Sequence, residues 1–346
     1  MCFCTAQNSS VAALQNKSYE RVHRAAALEV PQGMTEAGID VSILIVGYNS
    51  LKHLEECLGS IPQAAASYSC EVLFVNNGTD NSEAFIARRF PDVRVLQSRG
   101  NVGFAQANNY LAAQARGQWL LLLNPDTRLC EGAIDTLLQT AERHSDYAVF
   151  GGMRLTDDGQ PQTLTALEFP TIGSLWQGVI GRASSARMGM TKDEIAEVDA
   201  VSGEFLLVRS ALWQQLGGMD NAFFLYAEEM DFCWRVKSGG GKVGFVPGSC
   251  IYHDVGSGES FSALRMVFQF TGNAHFYRKH YSGAYAFACL ATLWLVALTR
   301  LAGGVLMSWR KPKYARMARG FRQVGLQPWI WMRGYVTSAD PRRTSS

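Results

Sequence analysis

The sequence predicts an α/β protein built on a mostly parallel central sheet flanked by helices, and three observations carry that expectation. Strand-like and helix-like patterns alternate from Val41 to His144. The run Trp119-Leu120-Leu121-Leu122-Leu123 is apolar without interruption, as a strand buried on both faces requires. The 346 residues, 47% of them hydrophobic, suffice for one large domain or two small ones.

Taken in order, Val41–Gly47 reads as a buried strand. Leu51–Ile61 follows as a helix with apolar positions at Leu51, Leu54 and Leu58. Glu71–Asn76 is the next strand, Ser82–Phe90 a helix, Val93–Gln97 a strand and Phe104–Ala115 a helix. Gln118–Asn124 is the leucine strand, and Gly132–His144 the helix after it. This order implies parallel pairing through right-handed crossovers. Residues 151–200 are less regular, with a turn at Asp157-Asp158-Gly159 and a mobile loop at Gly181–Met190. Val201–Arg209 reads as a strand, and Ser210–Leu216 as a short helix stopped by Gly217-Gly218. Glu228–Ser238 reads as a helix, Lys242–Val246 as a strand and Ser260–His280 as a helix.

Residues 1–38 lack a basic segment followed by an apolar core, so they read as a poorly ordered leader without a secretory signal. The eight cysteines form no Cys-x-x-Cys pair, which argues against a zinc site and for a reducing compartment. The net charge of +2 is uninformative, but its distribution is not: Arg310, Lys311, Lys313, Arg316, Arg319 and Arg322 crowd the C-terminal end without an acid among them. Ala284–Thr299 is uncharged and spans about 24 Å as a helix, short of the roughly 30 Å hydrocarbon core. Extension to Trp309 would span it at the cost of burying Arg300. A membrane-surface or shallowly inserted element, a true span and a buried soluble helix all fit that pattern.

Four groups fall where an open α/β sheet presents its ligand-binding rim. Tyr48-Asn49 closes the first strand, and Asn76-Asn77 the second, before Gly78-Thr79-Asp80. Each is either a nucleotide contact or a plain turn. Asn101-Val102-Gly103-Phe104 leads into a helix carrying Asn108 and Asn109, where backbone N–H groups could face a diphosphate or simply start a helix. Asn124-Pro125-Asp126 ends the leucine strand, because proline cannot extend it; Asp126 then either meets a ligand or caps the helix near Glu131. Downstream, Glu228, Glu229 and Asp231 crowd one helix start next to an aromatic run. The helix dipole explains them, and so does acid–base chemistry in a partly dry site. His253 follows a strand pattern, as a structural histidine or a ligand.

In this order the segments resemble the family-two glycosyltransferases of the GT-A fold, and in particular their bacterial rhamnosyltransferase-like branch. The resemblance covers about residues 41–260 and rests on Asn101–Phe104 with Asn108-Asn109, Leu123–Asp126, Gly203, Gly217–Asp220, Tyr226–Arg235 and Tyr252-His253. It implies a GT-A catalytic domain over 39–260 and a helical, basic, membrane-associating region over 261–346. It implies that Asp126 holds Mg²⁺ or Mn²⁺ against the donor diphosphate, with His253 as a further ligand better suited to Mn²⁺. Glu229 stands where the family places its catalytic base, with Glu228 or Asp231 able to share the role. Tyr48, Asn49, Asn76, Asn77, Asn101, Gly103, Phe104, Asn108 and Asn124 would bind the nucleotide part of the donor. Two positions depart from the family: Asn76 replaces its usual aspartate, and Glu229 is one methylene longer than the usual aspartate.

The implied partners are a nucleoside-diphosphate sugar, a glycan or lipid-linked acceptor and a membrane surface, with no role for nucleic acid. The expected activity is inverting transfer, first of all of L-rhamnose from dTDP-rhamnose, at the cytoplasmic face of the cell membrane. A non-catalytic nucleotide-sugar-binding scaffold is the alternative.

Overall fold

The computed structural model describes residues 38–162, 165–180, 195–253 and 262–335. The leader expected over 1–38 lies outside these, save its last residue, as does the loop expected over Gly181–Met190. The central sheet is built from β1 (Val41–Gly47), β2 (Cys70–Asn76), β3 (Arg94–Val95), β4 (Trp119–Leu123), β5 (Thr127–Leu129) and β6 (Tyr147–Leu155), with later strands described below. Between them run α1 (Leu54–Ala64), α2 (Ser82–Arg89), α3 (Phe104–Ala112) and α4 (Ala133–Arg143). The strands β3, β2, β1 and β4 lie side by side in that order, all parallel. Their carboxyl ends therefore share one edge.

Beyond β4 the sheet is mixed. After β7 (Pro161–Gln162), β8 (Ala166–Leu167), α5 (Ile172–Val179), β9 (Ala196–Val198) and β10 (Ala200–Val201) comes β11 (Phe205–Arg209), which inserts antiparallel between β4 and β6. After α6 (Ser210–Gln215) and α7 (Glu228–Ser238), β12 (Lys242–His253) pairs parallel with β6 and antiparallel with β5. The strand expected over Val201–Arg209 is thus two: β10 pairs with β8 in a separate ribbon, and the chain crosses into the main sheet at Ser202–Glu204.

Alternation along each strand divides the core between the two faces. Ile43, Ile45, Leu121 and Leu123 meet α1 and α4 through Leu54, Leu58, Ile134 and Leu138. Leu44, Val46, Leu120 and Leu122 face α3 and α7 through Leu111, Phe232 and Val236. The leucine run is buried on both faces, as the pattern required.

The C-terminal helices α8 (Ala263–His280), α9 (Gly283–Met307) and α10 (Pro312–Leu326) add to the second of these cores, which includes Phe270, Tyr277, Leu290, Phe321 and Trp331. The 25 residues of α9 extend about 37 Å, enough to cross a bilayer, and about a third of its most apolar stretch is buried. Phe287, Leu306 and Trp309 remain exposed, and the guanidinium of Arg300 donates to the carbonyl of Gly178 at 3.1 Å.

Candidate active site

The site is assembled where β4 stops. Pro125 takes the chain out of the sheet, and the carbonyl of Asn124 accepts from the amide of Thr127 (3.3 Å) and its hydroxyl (2.7 Å). That turn holds Asp126 at its tip. β5 then runs back against the end of β12, pairing Thr127 with His253. The register brings His253 Nε2 to 3.2 Å from Asp126 Oδ1.

A second carboxylate stands behind the imidazole. Phe205 pairs with Leu123, so the residue before it lies beside Asn124, whose amide donates to the carbonyl of Glu204 at 3.0 Å. The side chain of Glu204 is buried; its Oε2 lies 3.3 Å from His253 Nδ1 and accepts from Arg154 Nη1 at 3.1 Å. Arg154, on the neighbouring β6, is also buried. The line Asp126–His253–Glu204–Arg154 therefore runs from the exposed rim into the protein. Burial opposes charge on both members of the outer pair, but their mutual bond prevails. Asp126 is held below the ordinary carboxylate range, and His253, facing Asp126 and Glu204, above the ordinary histidine range.

Neither Glu204 nor Arg154 is among the residues the sequence reading selects. The available signal was a carboxylate within the otherwise apolar stretch Glu204–Val208, a cost that needs a partner.

Glu229 joins the same place from α7. A Cβ added to Gly203 would lie 3.2 Å from the Phe104 ring and 3.6 Å from Glu229 Cβ, so the glycine lets these three segments close together. Burial, opposed by its own backbone amide and reinforced by the charge of Glu204, pushes the Glu229 carboxyl up to about 7. Glu228 is buried, its Oε2 lacks a hydrogen-bond partner among the described residues, and burial together with the Glu229 charge raises its carboxyl well above normal. Tyr226 and Ala227, just before these acids, are both left-handed at φ 68° and 70°. Such backbone costs about 1–2 kcal/mol per non-glycine residue and needs support from around it.

Asp231 does not join them. Its carboxylate is fully buried and paired with Arg235 Nε (2.9 Å), Lys279 Nζ (2.6 Å) and His280 Nε2 (2.7 Å). Burial opposes its ionisation, and those three partners override it and hold its carboxyl far below the usual range. Both of its oxygens are engaged, and the network anchors α7 to α8.

The nucleotide-side residues collect at the carboxyl ends of β1 and β2, next to β4. Tyr48 is half-exposed. Asn49, at φ 52°, accepts from the amide of Thr79 at 3.3 Å. Asn77 Nδ2 donates to the carbonyl of Gly103 at 3.1 Å and ties this rim to the next loop; its buried Oδ1 has no partner among the described residues.

Several expected donor contacts are occupied internally. Asn76 donates to Asp80 Oδ1 (3.1 Å) and Glu83 Oε2 (2.9 Å) and accepts from Gly78 N (2.8 Å), so its amide shapes its own turn. At α3, the Gly103 amide goes to Asn101 Oδ1 (3.3 Å) and the Phe104 amide to the carbonyl of Phe224 (2.7 Å). Of these two amides, that of Gly103 closes its own turn and that of Phe104 binds the loop that carries the acids, where the sequence reading expects backbone N–H groups to face a diphosphate. Asn108 is buried and donates back to the Phe104 carbonyl at 3.0 Å. Asn109 clasps Met219 through both its amide and its carbonyl, at 2.7 and 2.9 Å.

The architecture and sequence have clear relatives. A family model described as Glycosyl transferase family 2 matches residues 42–215. The chain is 26% identical over 230 residues to an N-acetylglucosaminyl-diphospho-decaprenol L-rhamnosyltransferase of Mycobacterium tuberculosis, covering 61% of this chain and 75% of that one. It is 25% identical over 166 residues to the rhamnosyltransferase WbbL of Escherichia coli, covering 43% and 60% respectively. Among solved structures, the mannosyltransferase PcManGT of Pyrobaculum calidifontis, in complex with GDP-Man and Mn²⁺, shares the fold with a TM-score of 0.53 and 15% identity. That likeness covers 94% of this chain and 97% of that one.

Proposed function

The chain belongs to glycosyl transferase family 2, a transferase of the GT-A fold, and on that premise we propose that it is a divalent-metal-dependent inverting rhamnosyltransferase of cell-surface glycan assembly. The donor is dTDP-L-rhamnose and the acceptor a lipid-linked glycan. The two relatives named above support the choice of sugar, and the mycobacterial one the choice of acceptor.

The observation that carries the reading is the line Asp126–His253–Glu204–Arg154 at the end of β4, with Glu229 beside it. The residues fit a hard divalent cation. Adjacent ligands on an octahedral ion with bonds near 2.1 Å are about 3 Å apart, and Asp126 Oδ1 and His253 Nε2 are 3.2 Å apart. An Nδ1–H directed at Glu204 leaves Nε2 free to coordinate, an arrangement common among metal-binding histidines. Among the described residues no three such side chains converge in a closed cage, so oxygen ligands from the donor diphosphate would complete the shell. When bound there, the cation supplies Lewis-acid stabilisation to the departing diphosphate.

Glu229 removes the proton of the acceptor hydroxyl as that oxygen bonds to the anomeric carbon and the carbon–oxygen bond to the diphosphate breaks. Attack opposite the leaving group inverts the anomeric centre. A carboxyl near 7 is matched to this task at neutral pH, since an appreciable fraction is ionised and the ionised form is strongly basic. Tyr48, Asn49 and Asn77 contact the nucleotide from the adjacent rim. The exposed apolar residues of α9, beside the basic residues of α10, rest on the cytoplasmic face of the membrane where a lipid-linked acceptor is presented.

The test is a panel of nucleotide sugars incubated with the protein and Mn²⁺, Mg²⁺ or EDTA, with nucleoside diphosphate release as the readout. Slow metal-dependent release from dTDP-L-rhamnose is expected; release from a different donor alone would refute the rhamnosyl assignment.

A further inference from the structure

The segment Phe223–Glu229, which delivers the carboxylates, is held from two directions. From α3, the Phe104 amide bonds the Phe224 carbonyl at 2.7 Å. From the C-terminal region, α8 and the stretch after α10, come three contacts on the segment and one just beyond it. The hydroxyl of Tyr335 donates to the Leu225 carbonyl and accepts from the Leu225 amide at 3.3 Å. The carbonyl of Tyr226 packs so closely on Gly272 that a Cβ there would collide with it. The Phe223 ring stands edge-on to His275 with centroids 4.6 Å apart. Lys279 and His280 hold Asp231, one turn into α7.

We propose that Tyr335 is a positioning residue of the transferase. By engaging both backbone groups of Leu225, its hydroxyl holds the left-handed pair Tyr226-Ala227 in place and so sets Glu229 beside Gly203. The C-terminal helices are then part of the catalytic unit and not a separable membrane appendage. The physical reason is strain. Two consecutive left-handed non-glycine residues persist only where neighbouring contacts over-determine them. With Leu225 released, that turn relaxes, and the first turn of α7 rotates with it. Displacements of about 1 Å at a reacting group can cost on the order of a hundredfold in rate.

This inference rests on Glu229 being the base, and the experiment separates the two. Tyr335→Phe, Gly272→Ala and Glu229→Gln are made in the full chain. Transfer is assayed with dTDP-L-rhamnose, Mn²⁺ and an N-acetylglucosaminyl-diphospho-polyprenol. Tyr335→Phe keeps the buried ring and removes only the hydroxyl. It is expected to lower kcat by about 10- to 100-fold while donor KM stays within about threefold of wild type, because the nucleotide rim is untouched. Gly272→Ala, which presses on Tyr226 from α8, gives the same split. Full kcat in Tyr335→Phe beside an inactive Glu229→Gln enzyme overturns the inference alone. Parallel loss of kcat, donor binding and thermal stability in Tyr335→Phe also overturns it, since that pattern marks a merely structural role. Wild-type transfer by Glu229→Gln removes the base assignment and this inference with it.

Discussion

Replacing Glu204 by glutamine separates the charge of the buried carboxylate from its shape. Glu204 Oε2 lies 3.1 Å from Arg154 Nη1 and 3.3 Å from His253 Nδ1, and both Glu204 and Arg154 are more than nine-tenths buried. At an effective dielectric near 20, a unit charge pair at 3.1 Å interacts by about 5 kcal/mol before desolvation is counted. Losing one member of a buried pair costs about 3–5 kcal/mol, because the other stays buried without its counter-charge. Glu204→Gln can still offer an amide oxygen to both neighbours, which places the expected loss near the lower end, about 3 kcal/mol. The positive charge left 3.4 Å from His253 Nδ1 would also disfavour a cation on Nε2. Metal affinity should fall about 10- to 100-fold, as for other outer-shell partners of metal-binding histidines. Urea unfolding measures the first effect, and Mn²⁺ titration followed by paramagnetic resonance the second. Wild-type Mn²⁺ affinity in a folded Glu204→Gln protein would refute the reasoning, because it would show that Glu204 does not orient the imidazole for coordination.

Three further outcomes follow from the same geometry. Since the Glu229 carboxyl is raised to about 7, kcat should fall about tenfold per unit as pH drops below that value and level off above it. The same raised value means the folded state binds the extra proton, so stability falls as pH rises from about 4.5 to 7; Glu229→Gln should flatten both the rate profile and this slope. Gly103→Ala should destabilise the fold by about 2 kcal/mol, measured by urea unfolding, and should slow transfer. Its φ is 85°, and the added methyl would run into the Phe224 carbonyl and lie 2.7 Å from its ring, five residues before Glu229.

The parallel half of the fold was legible because each strand announces its own burial. The leucine run cut off at Asn124-Pro125 places Asp126 on the rim without further help, and the alternation of strands and helices places Gly47 and Asn76 beside it. The antiparallel half was obscured by backbone necessity. β6 carries Gly151-Gly152 and falls where the sequence shows no regular pattern. They are glycines because a Cβ would strike Val201 at 2.6 Å in one case and the Phe205 ring at 2.6 Å in the other. β12 appeared to end at Val246, but it continues through an irregularity at Pro247–Ser249 to deliver His253. The packing of α10 was hidden behind its arginines and Pro312: Phe321 and Val324 are buried in the core, with Met317 partly buried against it. At the site, Asp126 and His253 stand out as single residues at element ends, whereas Glu229 is separated from Glu228 and Asp231 only by the family resemblance. Glu204 and Arg154 acquire their meaning only from the pairing of β11 and β6 beside β4, which no local pattern records.

The most direct test compares Mn²⁺-dependent transfer from dTDP-L-rhamnose by the wild-type chain and by Asp126→Ala, each with and without EDTA. A cation held by Asp126 is worth several kcal/mol to the departing diphosphate. The variant should therefore lose about 100-fold or more in kcat/KM and respond no further to EDTA, while the wild type is silenced by it. Equal rates in the two proteins, unaffected by EDTA, would contradict the account.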